Sequence, residues 1–436
     1  MNGQAWHGPC SFNRMARTAA FGFVALLAFG GSTAAFAQQT NEPRTEPKKE
    51  DPAPQAERRS TARQGLIDRS RGIWTDLRAR GIRPHFGTLG AGSGFAIGAE
   101  IRRESFFAPD VGVSLAGSVS VRGYQAYDAR LGRVTDWSSR TELRPADADP
   151  TGAISIDGHP VPGFSAYVHT RQRVARRLDY FGMNGEARLE DRADYGLAGL
   201  STDAVVQWQL SPKLGLAARA GWMRLELGPG SNTRVPNLEE RFAVSALPGM
   251  AERSSYFTLG AGVVRDSRND PEVPTRGYAV SATAWRYLPV KSGTSFGRVA
   301  LDARGYQSLV NDRHVLAARL LLIRTSGHVE DVPFYLQGTL GGSRTLRGLR
   351  NFRLRGPAIA HATFEYRWHA FKRFEIVPFV DAGFAAASFT GVPREDIVVT
   401  PGIGFRFRTS SSVIGRLDVA WGPDGRRLLL AVGSPF

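Results

Sequence analysis

The sequence predicts an all-β fold, a transmembrane antiparallel β-barrel of about sixteen strands. Three observations lead to this prediction: an export signal at the amino terminus, alternating segments of bilayer-crossing length through most of the chain, and an aromatic residue at its end. After the export signal no run of eighteen or more apolar residues occurs. Spanning helices are therefore excluded, because each needs about 20 such residues.

The amino terminus has the pattern of a Sec-type signal peptide. Arg14 and Arg17 precede a short apolar run at residues 19–28, and an A-x-A cleavage triplet follows at residues 35–37. Residues 1–37 are therefore predicted to be removed on export, whether translation starts at Met1 or at Met15. The expected location is the outer membrane of a Gram-negative type of cell.

The composition and motifs of the sequence argue against several classes of functional site. Cys10 is the only cysteine and lies within the signal, so the exported chain has no disulfide or thiolate metal site. The histidines show no H-x-x-x-H spacing, and no G-x-S-x-G motif occurs. The formal net charge of +16 comes from scattered arginines rather than a basic block. We therefore predict no enzyme activity, no cofactor, no metal and no nucleic-acid partner.

Residues 38–83 are predicted to form a periplasmic tail. The segment 38–59 is rich in Pro, Glu, Lys and Arg and is predicted to be disordered, because it has almost no apolar surface to bury. A short helix is expected after Ser60, with Leu66 and Trp74 on its apolar stripe. The alternating segments follow, and residues 84–436 are assigned to the barrel.

The alternation has a period of two residues. In Ala360–Trp368 the apolar face carries Phe364 and Trp368, and the opposite face carries Glu365 and Arg367. The segments 401–408 and 413–421 repeat this pattern, with Val413 placed on the apolar face of the second. Such segments match tilted membrane strands, with the polar face directed to the lumen.

Strand number and connections also fit a barrel. At about 22 residues per strand and connection, residues 84–436 supply about sixteen strands. Long polar connections are expected at 128–160, 228–252 and 329–350, all at one end of the barrel. The final Phe436 follows apolar residues at alternate positions, as in the closing strand of outer-membrane barrels.

Two motifs, taken together with their order and spacing, resemble those of a known family. Residues 346–349 read Leu-Arg-Gly-Leu inside a predicted long loop, and residues 378–383 show an F-x-D-x-G pattern. Their order and spacing resemble the Omp85 (bacterial surface antigen D15) family, whose sixth loop carries a V-R-G-F or V-R-G-Y tetrad. Here Leu346 and Leu349 replace the valine and the aromatic residue.

The resemblance implies a long loop folded into the lumen. We expect Arg347 to be fixed there by Glu365 and Asp381, because a buried guanidinium needs carboxylate partners. Gly348 would allow a sharp turn beside Leu346. The segment 38–83 is shorter than a typical domain, so we expect a barrel-only member without POTRA modules.

The resemblance also implies a function. Omp85 proteins insert or translocate polypeptides at the outer membrane, and a weak seam between the first and last strands, with Phe436 on the closing strand, would serve this role. Two alternatives stay open: a passive anion-favouring pore lined by Arg406, Arg408 and Arg416, and a surface antigen acting through its loops. Expected partners are outer-membrane lipid and lipopolysaccharide, with unfolded outer-membrane proteins or a periplasmic partner, around a monomeric barrel.

Overall fold

The computed structural model describes residues 81–436 except 91, 136–162, 184–187, 244–246, 251–253, 292, 328–331 and 410–412. The predicted signal peptide, the 38–59 segment and the short helix lie outside these residues. No helix in the described part is long and apolar enough to cross a membrane.

The described residues form strands that run from end to end of the chain. Their bounds are β1 Ile82–Thr88, β2 Phe95–Ala108, β3 Val111–Ser120, β4 Gln125–Arg133, β5 Phe164–Tyr180, β6 Ala193–Ser211, β7 Leu214–Pro229, β8 Ser254–Asp266, β9 Gly277–Pro289, β10 Phe296–Val310, β11 His314–Ser326, β12 Gly338–Leu340, β13 Leu354–Gly356, β14 Ala358–Phe371, β15 Phe374–Ala386, β16 Val398–Arg408, β17 Val413–Gly422 and β18 Gly425–Ala431. The first strand begins two residues before the predicted barrel start. Within the described ranges an α-helix, α1, spans Leu238–Arg241, and 3-10 turns span Phe334–Leu336 and Arg394–Asp396.

Sixteen of these strands make one antiparallel sheet, which confirms the predicted fold class and strand number. Neighbours in the sheet are neighbours in sequence, except that β11 pairs with β14. The connection between them, residues 327–357, contains the separate hairpin β12–β13. We call the end of the sheet from which this connection leaves the loop end, and the opposite end the turn end.

The long connections are not all at one end. The connections β7–β8 and β11–β14 both leave at the loop end, as predicted. The predicted connection 128–160 is wrong in two respects: residues 128–133 belong to β4, and β4 ends and β5 begins at the turn end. Strand parity fixes this result, because antiparallel neighbours alternate in direction.

The two faces of the sheet differ as the alternation predicted. On β14, Phe364 is 51% exposed, whereas Glu365 and Arg367 are buried on the lumen face. The prediction for β17 was wrong at its start, where Val413 is 7% exposed and Ile414 is 47% exposed. A bulge causes this difference: Arg408 pairs with Val413 while Phe407 pairs with Gly415, so one extra residue shifts the parity.

The loop end of the lumen is filled by apolar side chains. Phe334, Tyr335 and Leu336 from the β11–β14 connection pack with Leu238 of α1 and with inward residues of β5–β10 such as Tyr195. Phe334 meets the ring of Tyr195 edge to face, with centroids 5.2 Å apart. This packing holds the base of the inserted loop against the inner face of the strands.

The chain end departs from the predicted closing strand. β18 ends at Ala431, and Phe436 lies beyond it, 8% exposed, in a buried cluster with Tyr306, Val315 and Ala317 of β10 and β11. The prediction that Phe436 lies on the closing strand is therefore wrong. Val432 still faces outward, and the irregular segment 433–436 turns into the lumen at the turn end.

Candidate functional site

The tip of the β11–β14 connection lies deep in the lumen. A turn brings the Leu349 amide within 3.0 Å of the Leu346 carbonyl oxygen, and both leucine side chains are buried. They pack with Leu340 of β12 and with Ile359 of the barrel wall. Apolar packing on both sides of Arg347 therefore holds the tip against the wall. Leu349 fills this site without the family's aromatic ring.

Arg347 makes a forked contact with Asp381. Its Nε and Nη2 atoms donate to the two carboxylate oxygens over 2.9 and 2.7 Å, and its backbone amide donates to Asp381 over 3.1 Å. Its Nη1 atom donates to Glu365 Oε1 over 2.9 Å. The structure thus brings together the three residues named from the sequence, which we call the lumen lock. Charge-assisted, bidentate geometry of this kind is both strong and directional.

Glu365 is the centre of a wider ion network. Besides Arg347, it accepts from Arg406 Nη2 over 2.6 Å and from Arg367 Nε over 3.0 Å. Asp418 lies 3.9 Å from Arg347 Nη1 and 3.2 Å from the Nε atom of its neighbour Arg416. Buried charges of opposite sign therefore surround the loop arginine, which compensates part of the cost of removing each charge from water.

The F-x-D-x-G motif supplies three lumen-facing residues of β15. The Phe379 ring lies beneath the Arg347 guanidinium, 3.3 Å from centroid to Cζ, and Asp381 binds its nitrogens. A Cβ atom on Gly383 would lie 3.2 Å from Leu340 and 2.6 Å from the Ala360 carbonyl oxygen. The motif thus stacks on the arginine, neutralises it and leaves room for the loop.

Gly348 is required because the loop tip lies very close to the barrel wall, not because its backbone angle is unusual. The expected sharp turn is present between Leu346 and Leu349, but Gly348 is absent from the glycines with positive φ, so the turn does not require a left-handed backbone. A Cβ atom there would lie 2.6 Å from the Trp421 carbonyl oxygen and 2.7 Å from Thr400. Only glycine lets the tip press this closely on β16 and β17.

The same loop contacts the last hairpin of the sheet. Asp424, in the turn between β17 and β18, accepts from the Arg350 amide over 2.8 Å and from Arg353 Nε over 3.1 Å. Arg427 of β18 donates to the Leu349 carbonyl oxygen. The loop therefore connects the wall at β14–β15 with the strand at the edge of the sheet.

Sequence reasoning missed several of these contacts. Alternation placed Arg406 and Asp418 on the lumen face, but it gave no means of choosing them as neighbours of Arg347. Nothing in the sequence marked Asp424 as a partner of the loop, because an aspartate in a turn between two strands is common. Within the described part of the chain no group of three His, Cys, Asp or Glu residues is arranged to hold a metal ion.

Comparisons with known proteins agree with this architecture. Residues 165–425 match the Omp85 superfamily domain, and no POTRA module was matched. No curated protein sequence matches the chain. Among solved structures, BamA from Haemophilus ducreyi lacking POTRA domains 1–3 is similar at 17% identity and a TM-score of 0.57, over 81% of this chain and 70% of that one.

Two CdiB structures are more distant. CdiB from Acinetobacter baumannii shares 12% identity at a TM-score of 0.44, over 80% of this chain and 56% of that one. CdiB from Escherichia coli shares 12% identity at a TM-score of 0.47, over 81% of this chain and 62% of that one. The family match covers more than half of the sequence, and the lock lies inside it. The chain belongs to the Omp85 superfamily of outer-membrane β-barrels.

Proposed function

We propose that this barrel inserts or translocates polypeptides at the outer membrane through the seam between β1 and β18. The observation that carries the proposal is the shortness of these two edge strands, which have seven residues each, whereas β6 has nineteen. In the described residues no ladder pairs β1 with β18. Few backbone hydrogen bonds would have to break for such a seam to open.

A proline on β1 supports the same proposal. The Arg102 amide donates to the Gly81 carbonyl oxygen over 2.9 Å, and the register continues without a shift through Pro84, which pairs with Ala99. Hydrogen-bonded pairs alternate along an antiparallel ladder, so the nitrogen of Pro84 is directed away from β2. The free edge of β1 therefore lacks one donor, and pairing across the seam is weaker by that bond.

The lipid-facing side of the seam is apolar. Leu428 and Leu430 of β18 and Phe86 of β1 are among the most exposed apolar side chains. A polypeptide strand that added to either edge would keep its backbone paired while it passed into lipid. No covalent chemistry is required, which fits a family of transport and assembly proteins.

The proposal includes the partners expected from the sequence. Outer-membrane lipid and lipopolysaccharide would surround a monomeric barrel, and unfolded outer-membrane proteins would be its clients. A periplasmic partner would deliver clients that the barrel alone does not collect. The segment before β1 is the docking site we favour for it.

Client folding in liposomes tests this function. The purified mature protein is reconstituted, an unfolded outer-membrane protein is added, and its folding is followed by gel shift against empty liposomes. We expect a faster rate that is lost in the Arg347→Ala variant and kept in Arg286→Ala, which removes an exposed arginine of β9. Ion conduction without acceleration would instead support the anion-favouring pore, and neither activity would leave the antigen interpretation.

A further inference from the structure

A cavity lies in the lumen between the inserted loop and the barrel wall. The hairpin β12–β13 forms one side of it, and strands β5, β6 and β7 form the other. The cavity and its mouth enclose about 470 Å³, which is within the range of roughly 300–1,000 Å³ that small-molecule sites occupy. We call it the hairpin cavity.

The lining of the hairpin cavity is mostly apolar. Leucines of β5, β6 and β7 line it together with Phe352 of the loop, and all of them belong to one buried cluster. Tyr195, toward the loop end, is buried, whereas Arg173 and Gly199, nearer the turn end, are partly exposed. The cavity is therefore closed toward the loop end and opens toward the turn end.

The guanidinium of Arg355, on β13, lies at the closed end of the cavity. Its Nη1 atom donates to the Phe334 carbonyl oxygen over 2.7 Å, and its Nη2 atom donates to the Tyr195 hydroxyl over 3.2 Å. Its Cζ atom lies 5.6 Å from the ring centroids of both Tyr180 and Phe334. Two hydrogen bonds and two aromatic rings therefore fix its orientation.

The charge of Arg355 is not neutralised within the described part of the chain. Both of its acceptors are uncharged, it forms no ion pair there, and its buried Nε atom has no partner. Arg347, in the same loop, is similarly buried, but two carboxylates bind it. Arg173, the other cation of the lining, is already paired with Asp128. Because a buried cation without a counter-charge is costly, an anion beside Arg355 would be stabilising.

We infer that the hairpin cavity binds an aliphatic monocarboxylate, a molecule of the fatty-acid class. Its carboxylate accepts from Arg355 Nε at the closed end, and its hydrocarbon chain extends along the leucines past Gly199 toward the mouth. One uncompensated charge and one nitrogen without a partner suit a monoanion better than a phosphate group, which carries up to about two charges and three acceptor oxygens.

The ligand would also hold the inserted loop in place, because the hairpin supplies its charge partner and the wall supplies its apolar surface. This inference does not depend on the proposed function. The hairpin cavity lies on β5–β7, away from the edge strands β1 and β18, so ligand binding and client insertion can be confirmed or rejected separately.

Native mass spectrometry of the full chain counts bound molecules directly. The chain is refolded from urea into detergent, so that no cellular lipid accompanies it, and decanoate is added. We expect one decanoate per barrel, and at least about tenfold weaker binding of decanol, which has the same chain but no charge. Decanoate that binds no better than decanol, or without saturation, would overturn the inference and mean an adventitious additive only. Tighter binding of decyl phosphate would also overturn it, in favour of a lipid phosphate.

Two variants separate the charge from the space. Arg355→Gln removes the positive charge and should weaken decanoate binding at least about tenfold, with decanol unaffected. On Gly199→Val the Cβ atom would lie 2.9 Å from Leu225 Cδ2, so the new side chain pushes that leucine into the cavity and should weaken both ligands.

Gly199→Val also keeps the inference testable if Arg355→Gln does not fold, because it changes no charge. Arg286→Gln, at an exposed position on β9, is the control and should bind decanoate as the parent does. Parent-like binding of decanoate by Gly199→Val or by a folded Arg355→Gln would mean that it binds elsewhere, and would overturn the site.

Stability gives a second measurement. Only the folded chain has the cavity, so saturating decanoate should raise the urea concentration at which half of the parent is unfolded, as followed by gel mobility. Arg355→Gln and Gly199→Val should show no such rise. An equal rise in the parent and in both variants would assign the effect to decanoate as a detergent and would contradict the inference.

Discussion

Arg353 Nε donates to Asp424 Oδ1 over 3.1 Å, and this contact joins the lumen loop to the hairpin that ends the sheet. The Asp424 side chain is almost fully buried and also accepts from the Arg350 amide. Since the hairpin carries β18, the loop and the seam are mechanically connected. A change in the position of the loop tip would reach the edge strand without passing through the rest of the wall.

The Asp424→Asn change tests this connection. It keeps the side-chain volume but removes the charge that binds Arg353, so β18 should separate from β17 more often. We expect the amides of β18 to exchange with solvent about tenfold faster, while those of β10 keep their rates. Hydrogen exchange followed by mass spectrometry measures both strands in one sample. Equal rates in variant and parent would show that the hairpin does not depend on this contact.

The lumen lock should contribute substantially to stability. The Arg347→Ala change leaves Asp381 and Glu365 buried with less compensation, and we expect a loss of about 3–5 kcal/mol in the free energy of unfolding. Arg347→Lys should recover only part of it, because an ammonium cannot fork onto a carboxylate. Urea unfolding followed by gel mobility gives these values. Arg286→Ala serves as the control, and a parent-like midpoint for Arg347→Ala would disprove the lock.

Gly348 is expected to tolerate no side chain. A Cβ atom would meet the Trp421 carbonyl oxygen, so Gly348→Ala should displace the loop tip and lower the free energy of unfolding by about 1–3 kcal/mol. Gly305→Ala on β10 is the matched control, because nothing lies within 4 Å of its added atom. The same urea series compares them. If Gly348→Ala and the control both unfold at the same urea concentration as the parent, the loop tip is free to move.

Much of this architecture could be predicted from the sequence because alternation reports which face a residue occupies. It placed Glu365 and Asp381 on the lumen face, where the structure has them next to Arg347. It could not rank neighbours across strands, since contact also depends on register and tilt. For that reason Arg406 and Asp418, which share the same face, were not recognised as parts of the network.

Local irregularities account for the failures. Residues alternate strictly between the two faces only in a strand without bulges. The bulge before Gly415 shifts this alternation by one residue, so Val413 faces the lumen. The final segment looked like a strand because Leu428, Leu430 and Val432 alternate, and those three side chains are indeed exposed. The inward turn of residues 433–436 depends on contacts with strands more than a hundred residues earlier in the sequence, which a local pattern cannot report.

The effect of a charged substitution on the outward face of β14 is predicted to depend on how deep in the bilayer the substituted residue lies. Phe364 is at the middle of the strand and Phe371 at its turn end, and both rings are exposed. Phe364→Arg should lower the stability of the inserted barrel by about 2–4 kcal/mol, and Phe371→Arg by about 0–1 kcal/mol. Unfolding from lipid vesicles in denaturant distinguishes them. Equal losses at the two positions would mean that the apolar band does not centre on Phe364.

Pro84 offers the most direct test of the seam. The Pro84→Val change restores a backbone donor on the free edge of β1 and adds a residue that favours strands. If the seam opens during function, the additional bond of about 1 kcal/mol should slow client folding about fivefold and raise the stability of the barrel. Thr88→Val, on the same strand, leaves every backbone donor in place and should keep the parent rate. If the Pro84→Val variant accelerates client folding as much as the parent does, opening of this edge does not limit the reaction. The route of the client would then have to be sought at the loop-end surface.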